Sequence, residues 1–260
     1  MVSMRLIIHQ ETESTQDLAK ELAIRGEPEG LAIMALNQTK GRGTSGHSWV
    51  SPPGKNLALS MILRPRLAPE EAPLLGLMAS IGVAETIEAG IGRPAQLKWP
   101  NDVLVDGRKI AGILPEASLN NREISFVIIG IGLNVNAELS DFPPDLRDSI
   151  TSLRLAAGRQ WDLEGTARDL LQAMELLYER VNREGCGFIP QLWATRWAHG
   201  DARLDRNGLT YTAEGIDADG ALLIRSDSGE LHRLTSGPSE LVWPDLRQQN
   251  SRDDDKVPLS

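Results

Sequence analysis

Three glycines fall within six positions (Gly41, Gly43, Gly46) of the stretch QTKGRGTSGHSWVSPPGKNLALS, residues 38–60, and Trp49 and a Pro52-Pro53-Gly54 turn follow them. Glycine lets a backbone come close enough to a ligand for main-chain N–H groups to hold it. Alone, the stretch reads as a dinucleotide loop, a phosphate loop of another kind, or a flexible turn. A second position with chemistry is Lys98, between Leu97 and Trp99 in an apolar run and just before Pro100-Asn101-Asp102. A lysine there is costly to bury unless it meets an anion. It is either a ligand contact fixed by that turn or a surface residue on the polar face of a strand. A third is Ser14-Thr15, ahead of Leu18, Leu22 and Ala23 at helical spacing. Ser14 with Asp17 fits a capping arrangement, and hydroxyls at a helix N-terminus either only cap or also offer donors to a polar ligand.

The elements around these positions narrow the choices. A strand over 31–37 feeds the glycine loop, and the literal Gly41-x-Gly43-x-x-Gly46 spacing follows it. A dinucleotide fingerprint needs a helix from its third glycine. Here two prolines and a glycine follow Trp49, which forbids that helix. No Gly-Lys-Ser/Thr is present, so a Walker loop fails as well. Alternation over 57–63 predicts a strand leaving the loop, and 73–89 an apolar core helix closed by Gly90. Residues 95–99 read as a strand, and 103–114 as a hairpin turning at Asp106-Gly107. A turn at Asn120-Asn121 precedes an apolar, central strand over 124–129, which runs into GIGLNVN (130–136). Asp162 caps a predicted helix to Glu184, and a short helix with Trp193 and Trp197 follows, its tryptophans read as packing. Beyond Gly200, Asn207-Gly208, Asp219-Gly220 and Ser228-Gly229 punctuate short strands (202–204, 209–216, 221–225, 230–234), the texture of a small β-barrel.

Length and charge set the outer limits. A chain of 260 residues is expected to hold a catalytic domain over 1–200, a C-terminal domain over 201–247, and a polar, disordered tail over 248–260. The net charge of −9 argues against a general nucleic-acid or anionic-membrane binder. Cys186, the single cysteine, excludes an internal disulfide or a cysteine-based zinc cluster, and with no histidine nearby it reads as structural. No leader and no run of about 18 apolar residues is evident, so the expected location is the cytoplasm.

Together the motifs are more specific than any one of them. The sequence resembles a biotin–protein ligase on ESTQD (13–17), on GRGTSGHSW (41–49) with SPPGKNLALS, on KWPNDVLVDGRKIAGIL (98–114), and on GIGLNVN (130–136). GIDADGAL (215–222) matches the family's small C-terminal domain. The resemblance implies an α+β fold: a mixed β-sheet with helices on one side, class II synthetase-like, plus an SH3-like barrel. It implies formation of biotinyl-5′-AMP from biotin and ATP with Mg²⁺, and transfer of biotin to a lysine of a carboxylase's biotin carboxyl carrier domain. On its terms Lys98 and Arg42 are catalytic. Ser14, Thr15, Gln16, Gln38, Arg42, Gly43, Thr44, Lys98 and Gly112 hold biotin. Arg42, Thr44, Trp49, Asn101, Gly132 and Asn134 hold ATP. A carboxylate attacking phosphorus brings two anions together, which the cations must offset.

Two departures from the family pattern matter. No helix-turn-helix segment fits ahead of Ser14, so a short form without DNA binding is expected. The common GRGRxGR keeps only Arg42 here, with Thr44 and His47 at the other arginine places. The loss of two charges is expected to loosen the hold on the adenylate, unless Lys40 or Lys55 compensates. A lipoate or octanoate transferase of the same fold and a weakly active biotin-binding module are the other readings. A sheet edge could pair two copies into a homodimer, which the sequence leaves open.

Overall fold

The computed structural model describes residues 2–198, 203–206, 208–237 and 241–243. Its main sheet has seven strands: β1 (Arg5–Thr12), β2 (Leu31–Gln38), β3 (Leu57–Leu63), β4 (Gln96–Lys98), β5 (Asp102–Val105), β6 (Arg108–Asn120) and β7 (Glu123–Leu133). Their order is β1-β2-β3-β7-β6-β5-β4, so the apolar strand expected to be central is central. β1 and β2 run parallel and the other pairs antiparallel, which makes the sheet mixed.

The helices are α1 (Thr15–Ile24), α2 (Ala72–Ile91), α3 (Leu153–Ala157), α4 (Leu163–Glu184) and α5 (Ile189–Ala194). Alternation along the strands sorts the two faces. Ala32, Met34, Leu59, Met61, Ile113, Ile129 and Ile131 join α2 and α4 in one apolar cluster. Leu31, Ile33, Ile62, Phe126 and Ile128 join Ala19 and Ala23 of α1 in another. The larger helices therefore lie on one side, as expected, and the short α1 covers part of the other. All seven residues of β3 are buried, and each of its leucine, methionine and isoleucine side chains contributes roughly 1.5–3 kcal/mol.

The ends of α2 differ from the sequence reading. The helix runs through Gly90 and stops at Gly92, whose left-handed backbone (φ 67°) caps it. With the preceding turn, Pro69–Ile91 is long and apolar enough to cross a membrane by length and composition, contrary to the expectation of no such run. Its leucines, isoleucines, methionine and valine raise the hydropathy, and 67% of the most apolar window is buried among the other elements. α4 begins behind Asp162, whose carboxylate accepts from Glu164 N and Gly165 N.

The C-terminal strands are β8 (Arg203–Arg206), β9 (Leu209–Ile216), β10 (Leu222–Ser226), β11 (Leu231–Leu234) and β12 (Leu241–Val242), an antiparallel sheet in the order β11-β10-β9-β8-β12. Gly208, Gly220 and Gly229 take positive φ at its turns. This sheet docks on the main one. Trp99 Nε1 donates to Gly220 O (3.0 Å), and Leu204, Tyr211, Ala213, Leu222 and Ile224 belong to the same apolar cluster as α2. The expected tail, 248–260, lies outside the described residues.

Candidate active site

A cleft opens on the α1 face of the main sheet, and strand register explains why. Across β3, β7 and β6, one row on this face is Ala58–Gly132–Gly112 and the next is Ser60–Gly130–Leu114. The row beyond is Ile62–Ile128–Glu116, where α1 packs. Where the rows turn small the helix stops, and its N-terminus and the glycine loop enclose the space. The volume is about 480 Å³ with its open mouth included.

The floor is polar and hydrogen-bonded. Ser14 Oγ accepts from Asp17 N and caps α1. Thr15 donates to Gln38 Oε1 from its main-chain N (2.9 Å) and its hydroxyl (3.1 Å), and its hydroxyl also meets Ser60 Oγ (2.9 Å). Ser60 donates to Gln16 Oε1, and Gln16 Nε2 donates to Leu114 O and Glu116 Oε2. Ser14, Thr15 and Gln16 are buried, at 2–3% exposure. The hydroxyl of Ser14 thus caps the helix while the same turn lines a cavity, so both readings of this segment apply.

The mouth is formed by residues 41–49, which fold into a small hairpin. Gly43 N donates to His47 O, His47 N to Thr44 O, and Trp49 N to Gly41 O. Arg42 Nη1 donates to Asp17 Oδ1 (2.6 Å) and Nη2 to Glu116 Oε1 (2.5 Å). These bonds, that to Glu116 foremost, raise the arginine's pKa further above its ordinary value. The indole of Trp49 lies on the platform of Gly112 and Gly132. A Cβ on Gly132 would come within 2.6 Å of its Nε1. That Nε1 is buried without a hydrogen-bond partner.

Of the residues singled out from sequence, Ser14, Thr15, Gln16, Gln38, Arg42, Gly43, Thr44, Trp49, Asn101, Gly112 and Gly132 line this one cleft. Lys98 and Asn134 are not among its lining residues. The ammonium of Lys98 lies over the ring of Trp243, the residue after β12, 6.0 Å from its centroid. Burial lowers its pKa, against the pull of Asp102. Asn134 is 2% exposed and fully used: Nδ2 donates to Thr151 O, and Oδ1 accepts from Asn56 Nδ2. It pins the segment behind β6.

The lysine that does line the cleft is Lys109, which sequence reasoning passed over. Its Nζ is 2.6 Å from Asp102 Oδ1 and 5.6 Å from the centroid of Trp49. Its backbone is clamped between Ser149 O and Thr151 N. A signal existed: the Asp106-Gly107 turn sets Leu104 opposite Lys109, so Asp102 is the diagonal neighbour on the same face. The expected compensation by Lys40 or Lys55 is not what the geometry offers. Lys40 pairs with Glu13 and Lys55 with Asp141, and neither lines the cleft. Among the described residues no group of three or more His, Cys, Asp or Glu side chains is placed to hold a metal.

Comparison with known proteins identifies the family. A model described as the Biotin/lipoate A/B protein ligase family matches residues 8–134, and one described as the Biotin protein ligase C terminal domain matches residues 206–238. The chain is 38% identical over 246 residues to the bifunctional ligase/repressor BirA of Bacillus subtilis, covering 93% of this chain and 75% of that protein. The chain belongs to the biotin protein ligase family. It is also 32% identical over 226 residues to the biotin–[acetyl-CoA-carboxylase] ligase of Paracoccus denitrificans, covering 84% of this chain and 93% of that protein. Among solved structures, the biotin protein ligase of Aquifex aeolicus in complex with biotin and ATP superposes with a TM-score of 0.75 at 28% identity. That match covers 93% of this chain and 99% of the other. The mixed sheet with its small C-terminal antiparallel sheet is the family's architecture.

Proposed function

We propose that this chain joins biotin to ATP, giving biotinyl-5′-adenylate and pyrophosphate, and then passes the biotinyl group to a lysine of a carboxylase's biotin carrier domain. The observation that carries the reading is the cleft's two-ended lining. Thr15, Gln16, Gln38 and Ser60 make a neutral polar end suited to a ureido ring, and Arg42, Lys109 and the Trp49–glycine platform make a cationic and aromatic end suited to a nucleotide. Family membership supports the same chemistry.

In this reading a biotin carboxylate oxygen attacks the α-phosphorus, and the bond to the pyrophosphate oxygen breaks. Both reactants are anions, so the barrier falls with the positive charge fixed beside them. Arg42 and Lys109 supply that charge, and Asp102 holds Lys109 in place. Trp49 and Asn101 border the nucleotide; Thr44 and Gly43 belong to the loop above it. In the second step the carrier's lysine amine attacks the acyl carbon, AMP leaves, and the ammonium loses its proton. No side-chain nucleophile takes part, and the thiol of Cys186, buried and pushed up to about 11, plays no role in it. Mg²⁺ would arrive with the triphosphate and offset its charge, substrate phosphates with one or two carboxylates being its usual ligands.

The proposed domain division is a catalytic unit over 1–200 and a small unit over 201–247, with the cytoplasm as the setting. Isotope exchange between pyrophosphate and ATP tests the function. Exchange that depends on biotin, with none on lipoate, is expected. Exchange dependent on lipoate, or biotin binding with no exchange, would overturn the proposal.

A further inference from the structure

Glu116 lies on β6 beside the cleft, and no step of the proposed reaction uses it. Its carboxylate bridges two lining residues. Oε1 accepts from Arg42 Nη2 at 2.5 Å, and Oε2 accepts from Gln16 Nε2 at 3.1 Å and, more weakly, from Arg42 Nη1 at 3.4 Å. Gln16 is in turn bonded to Ser60 and Leu114 on the floor. An unbroken chain of side chains therefore runs from the floor, through Gln16 and Glu116, to the arginine in the loop. Asp17, in the first turn of α1, holds the same guanidinium from the other side at 2.6 Å.

We propose that Glu116 is a positioning residue, a latch that holds Arg42, and with it the loop over residues 41–49, down across the cleft. Two features favour a latch over a carboxylate that merely competes with an incoming anion. Glu116 is tied to the floor as well as to the loop, so its position is set by the cleft itself. Two acids from separate elements converge on a single guanidinium that is 39% exposed. That arrangement fixes the arginine's place without drawing it away from the cleft it lines. The sequence makes the arginine's placement consequential, because Thr44 and His47 leave Arg42 as the loop's one arginine. The effect on ligand retention rests on the proposed ligase reading; the effect on the loop does not.

The test is Glu116→Gln in the full chain, with Asp17→Asn as a second variant that disturbs no buried group. In the ligand-free protein, hydrogen exchange at the amides of Gly43, His47 and Trp49 should rise about 3- to 10-fold in Glu116→Gln, and less in Asp17→Asn. Amides in β7 should keep their rates, which separates a latch from a general loss of stability. Release of the biotinyl-adenylate from loaded enzyme should quicken by a similar factor, and its formation at saturating substrates should slow by less than about 10-fold, because Arg42 is then less firmly fixed beside the reacting anions. Loop exchange that is unchanged or slower in both variants overturns the latch, as does release that is unchanged or slower where the loop exchanges faster. Faster loop exchange in a protein that forms no adenylate leaves the latch standing and overturns the ligase reading instead.

Discussion

Replacing each of two lysines separates the geometry from the motif. Lys109 lines the cleft with its ammonium 2.6 Å from Asp102, and its side chain is 33% exposed. A phosphate oxygen about 4 Å from that ammonium would gain about 4 kcal/mol at an effective dielectric of 20 and about 1 kcal/mol in bulk water. Partial exposure puts the interaction between those limits, about 2–3 kcal/mol, which is about 30- to 150-fold in rate at roughly 1.4 kcal/mol per decade. Lys109→Ala also leaves Asp102 as an unpaired anion beside the arriving phosphates. The expected loss in biotin-dependent pyrophosphate–ATP exchange is therefore about 10²-fold, of the size seen when one donor to a developing oxyanion is removed. Adding Asp102→Asn to Lys109→Ala should recover part of it, because the stranded charge goes. Lys98→Ala removes a contact to Trp243 worth about 0.5–1 kcal/mol of stability and should change exchange by less than about 3-fold. A Lys98→Ala protein that is folded and impaired more than Lys109→Ala, or a Lys109→Ala protein within about 3-fold of wild type, would refute the assignment.

Other substitutions and titrations test the remaining features. Gly132→Ala would set a methyl against the Trp49 indole and should weaken ATP binding, whereas Gly130→Ala would meet the Gln16 amide and should weaken biotin binding; calorimetry showing the reverse pattern sinks the two-ended cleft. Cys186 is 1% exposed, and burial pushes its thiol up to about 11, so a thiol reagent at pH 8 should label it only as fast as the protein unfolds. Labelling within minutes under native conditions would contradict that burial. Asp219 is held down to about 2 by its bonds with Asp217 and Arg233. A depressed carboxylate stabilises the fold above its unfolded pKa of about 3.9 and loses that contribution as pH falls toward 2. Asp219→Asn should therefore flatten the fall in melting temperature between pH 4 and pH 2, modestly because the pair is partly exposed; identical slopes for the two proteins would count against it.

Much of the fold was legible because its signals are local. Apolar alternation marked β3, an apolar run marked β7, Asp162 marked the start of α4, and Asp106-Gly107 marked its hairpin, where Asp106 and Gly107 take φ of 51° and 72°. The glycine at the end of α2 was misplaced by two positions because glycine inside a helix and glycine after one look alike in sequence; only the left-handed φ of Gly92 distinguishes them. The placement of α1 on the opposite face was not legible. It depends on which alternate residues of β2, β3 and β7 pair across the sheet, and that register is a long-range property.

The two lysines show where reading the site from sequence stops. Both lie in the stretch 98–114, Lys98 between Leu97 and Trp99 and Lys109 between Arg108 and Ile110, so residue type favours neither and the apolar neighbourhood points to Lys98. What separates them is the end of the sheet each one faces. Lys98 ends an edge strand that the C-terminal sheet covers, with Trp99 Nε1 bonded to Gly220 O and the Lys98 ammonium over Trp243. Lys109 is the second residue of β6, three residues before Gly112, and that glycine sits in the row where the sheet turns small and the cleft opens. The loop's missing arginines follow the same logic. A charge lost from residues 41–49 is replaced only by a side chain that reaches the same space, and strand pairing brings Lys109 there while Lys40 and Lys55 are held by Glu13 and Asp141. Arg42 and Lys109 are paired with acids as well, so the positive charge available to a ligand is set by which cations strand pairing brings into the lining, not by how many the loop carries.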